Sequence, residues 1–227
     1  SFEVGVYELG GHSIYLNNND TQLGKGETIE DTARTLSEYV DMIMIRTFEH
    51  EKVEKLAEAS KVPVINGLTD LYHPCQVLSD IWTIIEKKGN DLSNLNLLYI
   101  GDGMNVANSL IDASDIFGFN LYVATPKGYE PKFKTNLVDL KNIGEIMKKA
   151  DVVYTDVWTS MGRESEEAKR LQDFKDYQLN SQLMKKAKND VLIMHCLPAH
   201  RGEEISDEIM DSKNSIVFEQ AGNRLHV

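Results

Sequence analysis

The chain has only two cysteines, Cys75 and Cys196, far apart and without metal-type spacing. A disulfide framework is therefore excluded, and no zinc site is suggested. No apolar run approaches the ~20 residues a membrane-spanning helix needs, and no basic-then-apolar leader opens the sequence. It reads as soluble and cytoplasmic, with no membrane partner. Basic residues are scarce: 24 Lys and Arg face 36 Asp and Glu, a net charge of −12. Phosphate backbones select basic faces, so nucleic acid is not an expected partner, and any anion site has to be built locally. Solenoid repeats and low-complexity tracts are absent too. What is present is an ordinary 41% hydrophobic content in 227 residues, enough for one large domain or two small ones.

From residue 28 the pattern alternates between helical and strand periodicity. TIEDTARTLSEYV carries Ile29, Ala33, Leu36 and Val40 on one helical face, with Thr28 and Asp31 as a capping pair. DMIMIR reads as a strand, EHEKVEKLAEAS as a helix and VPVING as a strand. HPCQVLSDIWTIIEKKG is a helix with Val77, Leu78, Ile81, Ile84 and Ile85 at helical spacing. The polar KKGNDLSNLN reads as a hinge. Beyond it come strands NLLYIG, FNLYVAT, DVVYTD, VLIMHC and SIVFE, with helices at Asn105–Phe117, LKNIGEIMKKA and near DEIMDS. This βα alternation predicts an α/β fold of two domains, residues 1–88 and 89–227, each a parallel sheet flanked by helices.

In open parallel sheets ligands gather at the carboxyl ends of strands. Arg46 closes DMIMIR, His73 begins the helix after VPVING, GDGMN follows NLLYI, Asp156 closes DVVYTD, and His195 with Cys196 closes VLIM. Each has a plain structural alternative. Arg46 can be a solvated strand end. Together with His73 and Arg224 it can instead cradle a phosphate. His73-Pro74 can simply start a helix, although the same start aims free amides at an anion. GDGMN matches a dinucleotide loop weakly, because the third glycine is missing and no acid clearly ends the next strand. Asp156 can open an ordinary loop, and Cys196 can be an inert buried thiol.

YHPCQ, DVWTSMG and MHCLPAHRGEE together resemble the signatures of the aspartate/ornithine carbamoyltransferase family, on its ornithine branch. The likeness extends through GVYELGGHSIYLN, GKGETIEDTARTLS, ATPKGYEP and FEQAGNR. The aspartate branch typically has His-Pro-Leu-Pro where this chain has His-Cys-Leu-Pro, and it lacks Ser-Met-Gly.

The resemblance implies transfer of a carbamoyl group from carbamoyl phosphate to the side-chain amine of L-ornithine, with no metal or organic cofactor. By motif, Arg46, His73, Gln76, Cys196, Leu197 and Arg224 match residues that hold carbamoyl phosphate, the Leu197 carbonyl preceding a cis Pro198. Asn105, Asp156, Ser160, Met161 and Cys196 match those that hold ornithine, and Arg46, His73, Asp156 and Cys196 carry the chemistry. Gln22 stands where the family sends a side chain into a neighbouring subunit's phosphate site, implying a homotrimer with shared active sites. Asp156 alone would hold the amine as ammonium, so a thiolate at Cys196 or the departing phosphate would take its proton. SMGRESEEAKRLQDF reads as a lid. The family's Ser-Thr-Arg-Thr-Arg motif would lie just before SFEVG, and a C-terminal helix after NRLHV, so segments are expected to be missing at both ends. Met104 replaces an asparagine common in the family, which keeps another amine such as putrescine open. A nonenzymatic dinucleotide-binding protein on the same sheets is the rival of a different class.

Overall fold

The computed structural model describes residues 1–17, 26–159 and 162–227. A first helix, α1 (Phe2–Glu8), was not expected from periodicity and buries none of its residues. Helix α2 (Ile29–Leu36) opens as its cap predicts, the Asp31 amide donating to Thr28 Oγ1 at 3.1 Å. Strand β1 (Ile43–Arg46) pairs in parallel with β2 (Val64–Leu68), and α3 (His50–Ala59) is the crossover between them. The register shifts between Ile45 and Arg46, which sets Arg46 opposite Leu68. Helix α4 (Pro74–Lys88) has Pro74 in its first turn, where the missing amide hydrogen removes no helical bond. It buries Val77, Ile81 and Ile84, while Leu78, one step off that stripe, is exposed.

The remaining strands are β3 (Asn96–Ile100), β4 (Asn120–Ala124), β5 (Asn136–Leu137), β6 (Val152–Thr155) and β7 (Leu192–His195). They form one parallel sheet in the order β5-β4-β3-β6-β7. Its two faces follow the period of two: Leu97 and Tyr99 enter one core cluster, Leu98 and Ile100 the other. Burial on both faces explains why these strands read as continuous apolar runs. Val77, Ile81 and Ile84 of α4 belong to the first cluster, so the first half of the chain shares a core with the second.

The sheet is flanked by α5 (Asn105–Phe117), α6 (Ile143–Met147), α7 (Glu167–Phe174), α8 (Ser181–Met184), α9 (Asp207–Met210) and α10 (Val217–Gly222). One sequence expectation is corrected here. SIVFE is not a strand. Only Ser215 bridges Ile193, and from Val217 the chain turns into α10, which buries Val217 and Gln220 three residues apart and exposes Phe218. The connector expected as a hinge is docked, with Leu92 and Leu95 buried in the first cluster. Within the stretch expected as a lid, α7 buries both Arg170 and Phe174.

Candidate active site

Strand order reverses direction between β3 and β6, and a crevice opens beyond the carboxyl ends of strands at such a point. Asp156 follows β6 there, and Cys196 follows β7 beside it. The Cys196 thiol donates to Asp156 Oδ1 at 2.8 Å, and the Val157 amide donates to the same oxygen at 2.7 Å. Burial raises Asp156 above the ordinary carboxylate range despite these donors. Burial, and then the neighbouring Asp156, push the Cys196 thiol well above its usual value. Of the two proton acceptors expected, a thiolate and the departing phosphate, this geometry favours the phosphate, since the Cys196 thiol donates to Asp156.

Behind this pair lies a chain that the motif contained but residue-by-residue reading missed. His195 Nδ1 accepts the Leu197 amide at 2.8 Å, so its ring proton sits on Nε2, which meets Glu204 Oε1 at 2.9 Å. Glu204 is fully buried and also accepts the His200 amide at 2.6 Å. This arrangement holds Leu197 at φ 57, in the left-handed region, and the Leu197-Pro198 bond is cis. Asp156, His195 and Cys196 bring ligand atoms within 4.8 Å of one another. Both ring nitrogens of His195 and the thiol of Cys196 are used in hydrogen bonds, the ring to the Leu197 amide and Glu204 and the thiol to Asp156.

On the other side of the crevice, Arg224 sits in the 3₁₀ turn Asn223–Leu225 after α10 and donates to Gln76 Oε1 at 2.6 Å. His73 caps α4 and is 8% exposed, its backbone amide donating to Ser109 Oγ at 2.8 Å. Its Nδ1 is buried without a hydrogen-bond partner among the described residues. Burial lowers the His73 pKa to about 3, reinforced by the charges of Arg224 and Arg46. His73 is therefore a neutral imidazole within the fields of two guanidinium groups.

Asn105 stands apart from the Asp156–Cys196 pair. Its Nδ2 donates to the Thr69 carbonyl at 3.0 Å and its Oδ1 accepts the Val106 amide at 2.8 Å, tying the start of α5 to the turn after β2. Gln22, Ser160 and Met161 lie outside the described residues.

The GDGM turn between β3 and α5 is filled by the chain itself. A Cβ on Gly103 would lie 2.2 Å from the Pro131 backbone nitrogen, and the Gly103 amide donates to the Tyr129 carbonyl. Asp102 in the same turn is ion-paired with buried Arg170, which also donates to the Trp158 carbonyl at 2.9 Å and to Glu166 at 3.0 Å. Burial raises the Asp102 pKa to about 6 against the pull of Arg170. The glycine is needed for close packing of residues 129–131, which accounts for the weak dinucleotide motif without a nucleotide.

Comparison with known proteins agrees with this arrangement. Residues 1–86 match the carbamoyl-P binding domain of aspartate/ornithine carbamoyltransferases, and residues 93–227 match their Asp/Orn binding domain. The ornithine carbamoyltransferase of Thermococcus kodakarensis is 54% identical over 239 residues, spanning 100% of this chain and 76% of that relative. That of Anoxybacillus flavithermus is 53% identical over the same shares of each. The solved ornithine carbamoyltransferase of Pyrococcus furiosus superposes with a TM-score of 0.92 at 51% identity, covering 99% of this chain and 76% of its own. With both domain models matched and identity above half along its full length, the chain belongs to the aspartate/ornithine carbamoyltransferase family.

Proposed function

We propose that this protein transfers the carbamoyl group of carbamoyl phosphate to the side-chain amine of L-ornithine, releasing L-citrulline and phosphate. The observation that carries this reading is the link from the Arg224–Gln76 pair through Asp80 and Gln220 to the His195 backbone beside the Cys196–Asp156 pair, which joins a cationic pole to a buried acid pole. An anionic donor and an amine acceptor need such opposite ends. Residues 1–88 supply the first pole apart from Arg224, and residues 89–227 supply the second, which supports reading them as two substrate domains.

At the cationic pole Arg46 and Arg224 hold the phosphate, and His73 presents a neutral ring N–H to the carbonyl oxygen. A preorganised donor of this kind is worth about 3 kcal/mol of barrier. Gln76 Oε1 accepts from the carbamoyl NH2 and the Leu197 carbonyl accepts a second hydrogen, fixing the carbon for attack. At the other pole the raised proton affinity of Asp156 lets it draw a proton from the ammonium instead of merely pairing with it. As the amine's C–N bond forms and the carbamoyl C–O bond breaks, the electron pair leaves with phosphate, which accepts the released proton. Asn105, Ser160 and Met161 would hold the amino-acid end of ornithine.

Assembly as a homotrimer, with Gln22 entering a neighbour's phosphate site, belongs to the same reading, as does a cytoplasmic setting. Among the described residues no helix is long and apolar enough to cross a membrane. The deciding experiment is citrulline formation by the whole gene product from carbamoyl phosphate with ornithine, and in parallel with putrescine. Ornithine-dependent citrulline is expected. Product only from putrescine would reassign the amine, and product from neither would remove the reaction.

A further inference from the structure

Asp80 lies on α4, fully buried, and takes no part in the chemistry described above. Its Oδ1 accepts from Gln76 Nε2 at 2.9 Å and from Gln220 Nε2 at 2.6 Å. Gln220 also reaches the Tyr154 hydroxyl at 3.2 Å, and its Oε1 accepts the His195 amide at 2.9 Å. One carboxyl group thus touches a side chain at each pole of the crevice.

A side-chain amide has a donor end and an acceptor end of nearly equal size, so either can face a given neighbour unless that neighbour accepts only one. Asp80 Oδ1 accepts only, whether the carboxyl is ionised or carries a proton on Oδ2, which has no partner among the described residues. It therefore draws the NH2 of Gln76 inward and turns Oε1 outward, to where Arg224 now donates to it. Once Arg224 turns to a phosphate, Asp80 is the group left to enforce that orientation. The same oxygen does this for Gln220, leaving its Oε1 to hold the His195 backbone at the end of β7.

We propose that Asp80 is a positioning residue that fixes the amide of Gln76, so that the crevice presents an acceptor and selects a carbamoyl NH2 over an isosteric methyl group. The inference rests on the carbamoyl phosphate reading and adds the source of its selectivity. Without the constraint Gln76 can present its own NH2, which opposes a carbamoyl donor but is indifferent to methyl. Replacing Asp80 by Asn keeps the volume and supplies an NH2 that can face Gln76.

The test uses the whole gene product and two stable ligands, phosphonoacetamide and acetonylphosphonate, which differ only as NH2 against CH3. Calorimetric affinities are measured for the unaltered protein and for Asp80→Asn. The unaltered protein is expected to prefer phosphonoacetamide by about a hundredfold, the worth of two well-made hydrogen bonds, to Gln76 and to the Leu197 carbonyl. In Asp80→Asn that preference is expected to fall about tenfold, to what the Leu197 carbonyl alone gives, while acetonylphosphonate affinity is unchanged. The ratio within one preparation reports only folded molecules, so partial unfolding does not mimic the result. As a control, Tyr154→Phe removes a partner of both Gln220 and Asp80 but leaves the Asp80 carboxyl that faces Gln76, and should keep the preference.

An undiminished preference in Asp80→Asn overturns the proposal. Equal loss of both ligands overturns it too, assigning Asp80 a general packing role. If the unaltered protein itself shows no preference, the carbamoyl reading of the pole falls first.

Discussion

The two poles of the crevice are put together differently. At the amine pole, Asp156 and Cys196 follow neighbouring strands β6 and β7, and their support, His195 and Glu204, lies within one continuous loop. At the phosphate pole, Gln76 and Arg224 meet across 148 residues, and the link runs through α4 and the turn after α10. The first pole is a local device held by backbone hydrogen bonds. The second exists only when both halves of the chain have docked. Local damage should therefore alter chemistry at the amine pole, whereas at the phosphate pole it should also register in the coupling between halves.

The largest expected effect breaks the amine pole at its centre. Asp156→Asn keeps the shape but removes the group that draws the ammonium proton, and kcat/KM for ornithine should fall by about 10²–10³. Steady-state citrulline assays decide this, and an unchanged ornithine affinity and rate would remove Asp156 from the site. Next comes the support. Glu204→Ala leaves the fully buried His195 ring N–H and the part-buried His200 amide without their acceptor. Each such loss costs about 1–3 kcal/mol, so denaturant melts should show roughly 2–4 kcal/mol less stability. A loss below about 0.5 kcal/mol, the level of an ordinary surface substitution, would mean the chain is not what holds Leu197.

What the sequence made legible follows the same division. The alternation of apolar runs predicted the parallel sheet because its strands are buried on both faces, as in β6 where all four residues are buried. Cys196 and Asp156 stood out because strand ends in such sheets carry ligands. SIVFE misled because a short apolar run fits a strand or a buried helix equally well, and only its contact with Ile193 ends the strand at one bridge. Arg170 hid in a polar stretch, since nothing local shows that Asp102, 68 residues away, takes its charge into the core. Asp80 was invisible for the same reason, its Gln220 partner lying 140 residues on. The Glu204–His195 pair was within reach, because a glutamate nine residues after a strand-end histidine was in the quoted motif.

Titration offers a sharper version of the comparison, because burial drives His73, the N-cap of α4, and Asp80, in its middle, in opposite directions. His73 falls from 6.5 to about 3, so the folded state keeps it neutral. Its contribution is fully present above pH 6.5 and is lost as pH falls toward 3. Asp80 rises from 3.8 to about 7, so its contribution is fully present below pH 3.8 and is lost as pH rises through 7. Each slope is at most about 1.4 kcal/mol per pH unit. Relative to His73→Asn, the unaltered protein should lose stability between about pH 6 and 4; relative to Asp80→Asn, it should lose stability between about pH 4 and 7. Chemical denaturation across that range checks both signs, and parallel curves for any variant and the unaltered protein would show that its group is not held as described.

The smallest effect separates two roles for Cys196. A thiolate base would make Cys196→Ala nearly inactive. A thiol that only donates to Asp156 Oδ1 predicts something milder, because the Val157 amide remains on that oxygen. Ornithine turnover should fall about tenfold or less, the range of one hydrogen bond, and phosphonoacetamide affinity should hold. The removal should also shift the pH profile in one direction. With one donor gone, the Asp156 carboxylate is stabilised less, its pKa rises further, and the acid limb of kcat/KM for ornithine moves to higher pH. A thiolate base predicts instead that the unaltered enzyme gains activity only as the thiol ionises, well above its ordinary range, and that alanine abolishes this alkaline rise. The direction in which the acid limb moves in Cys196→Ala therefore tells whether the amine pole is run by a carboxyl group with a thiol attending it, or by the thiol itself.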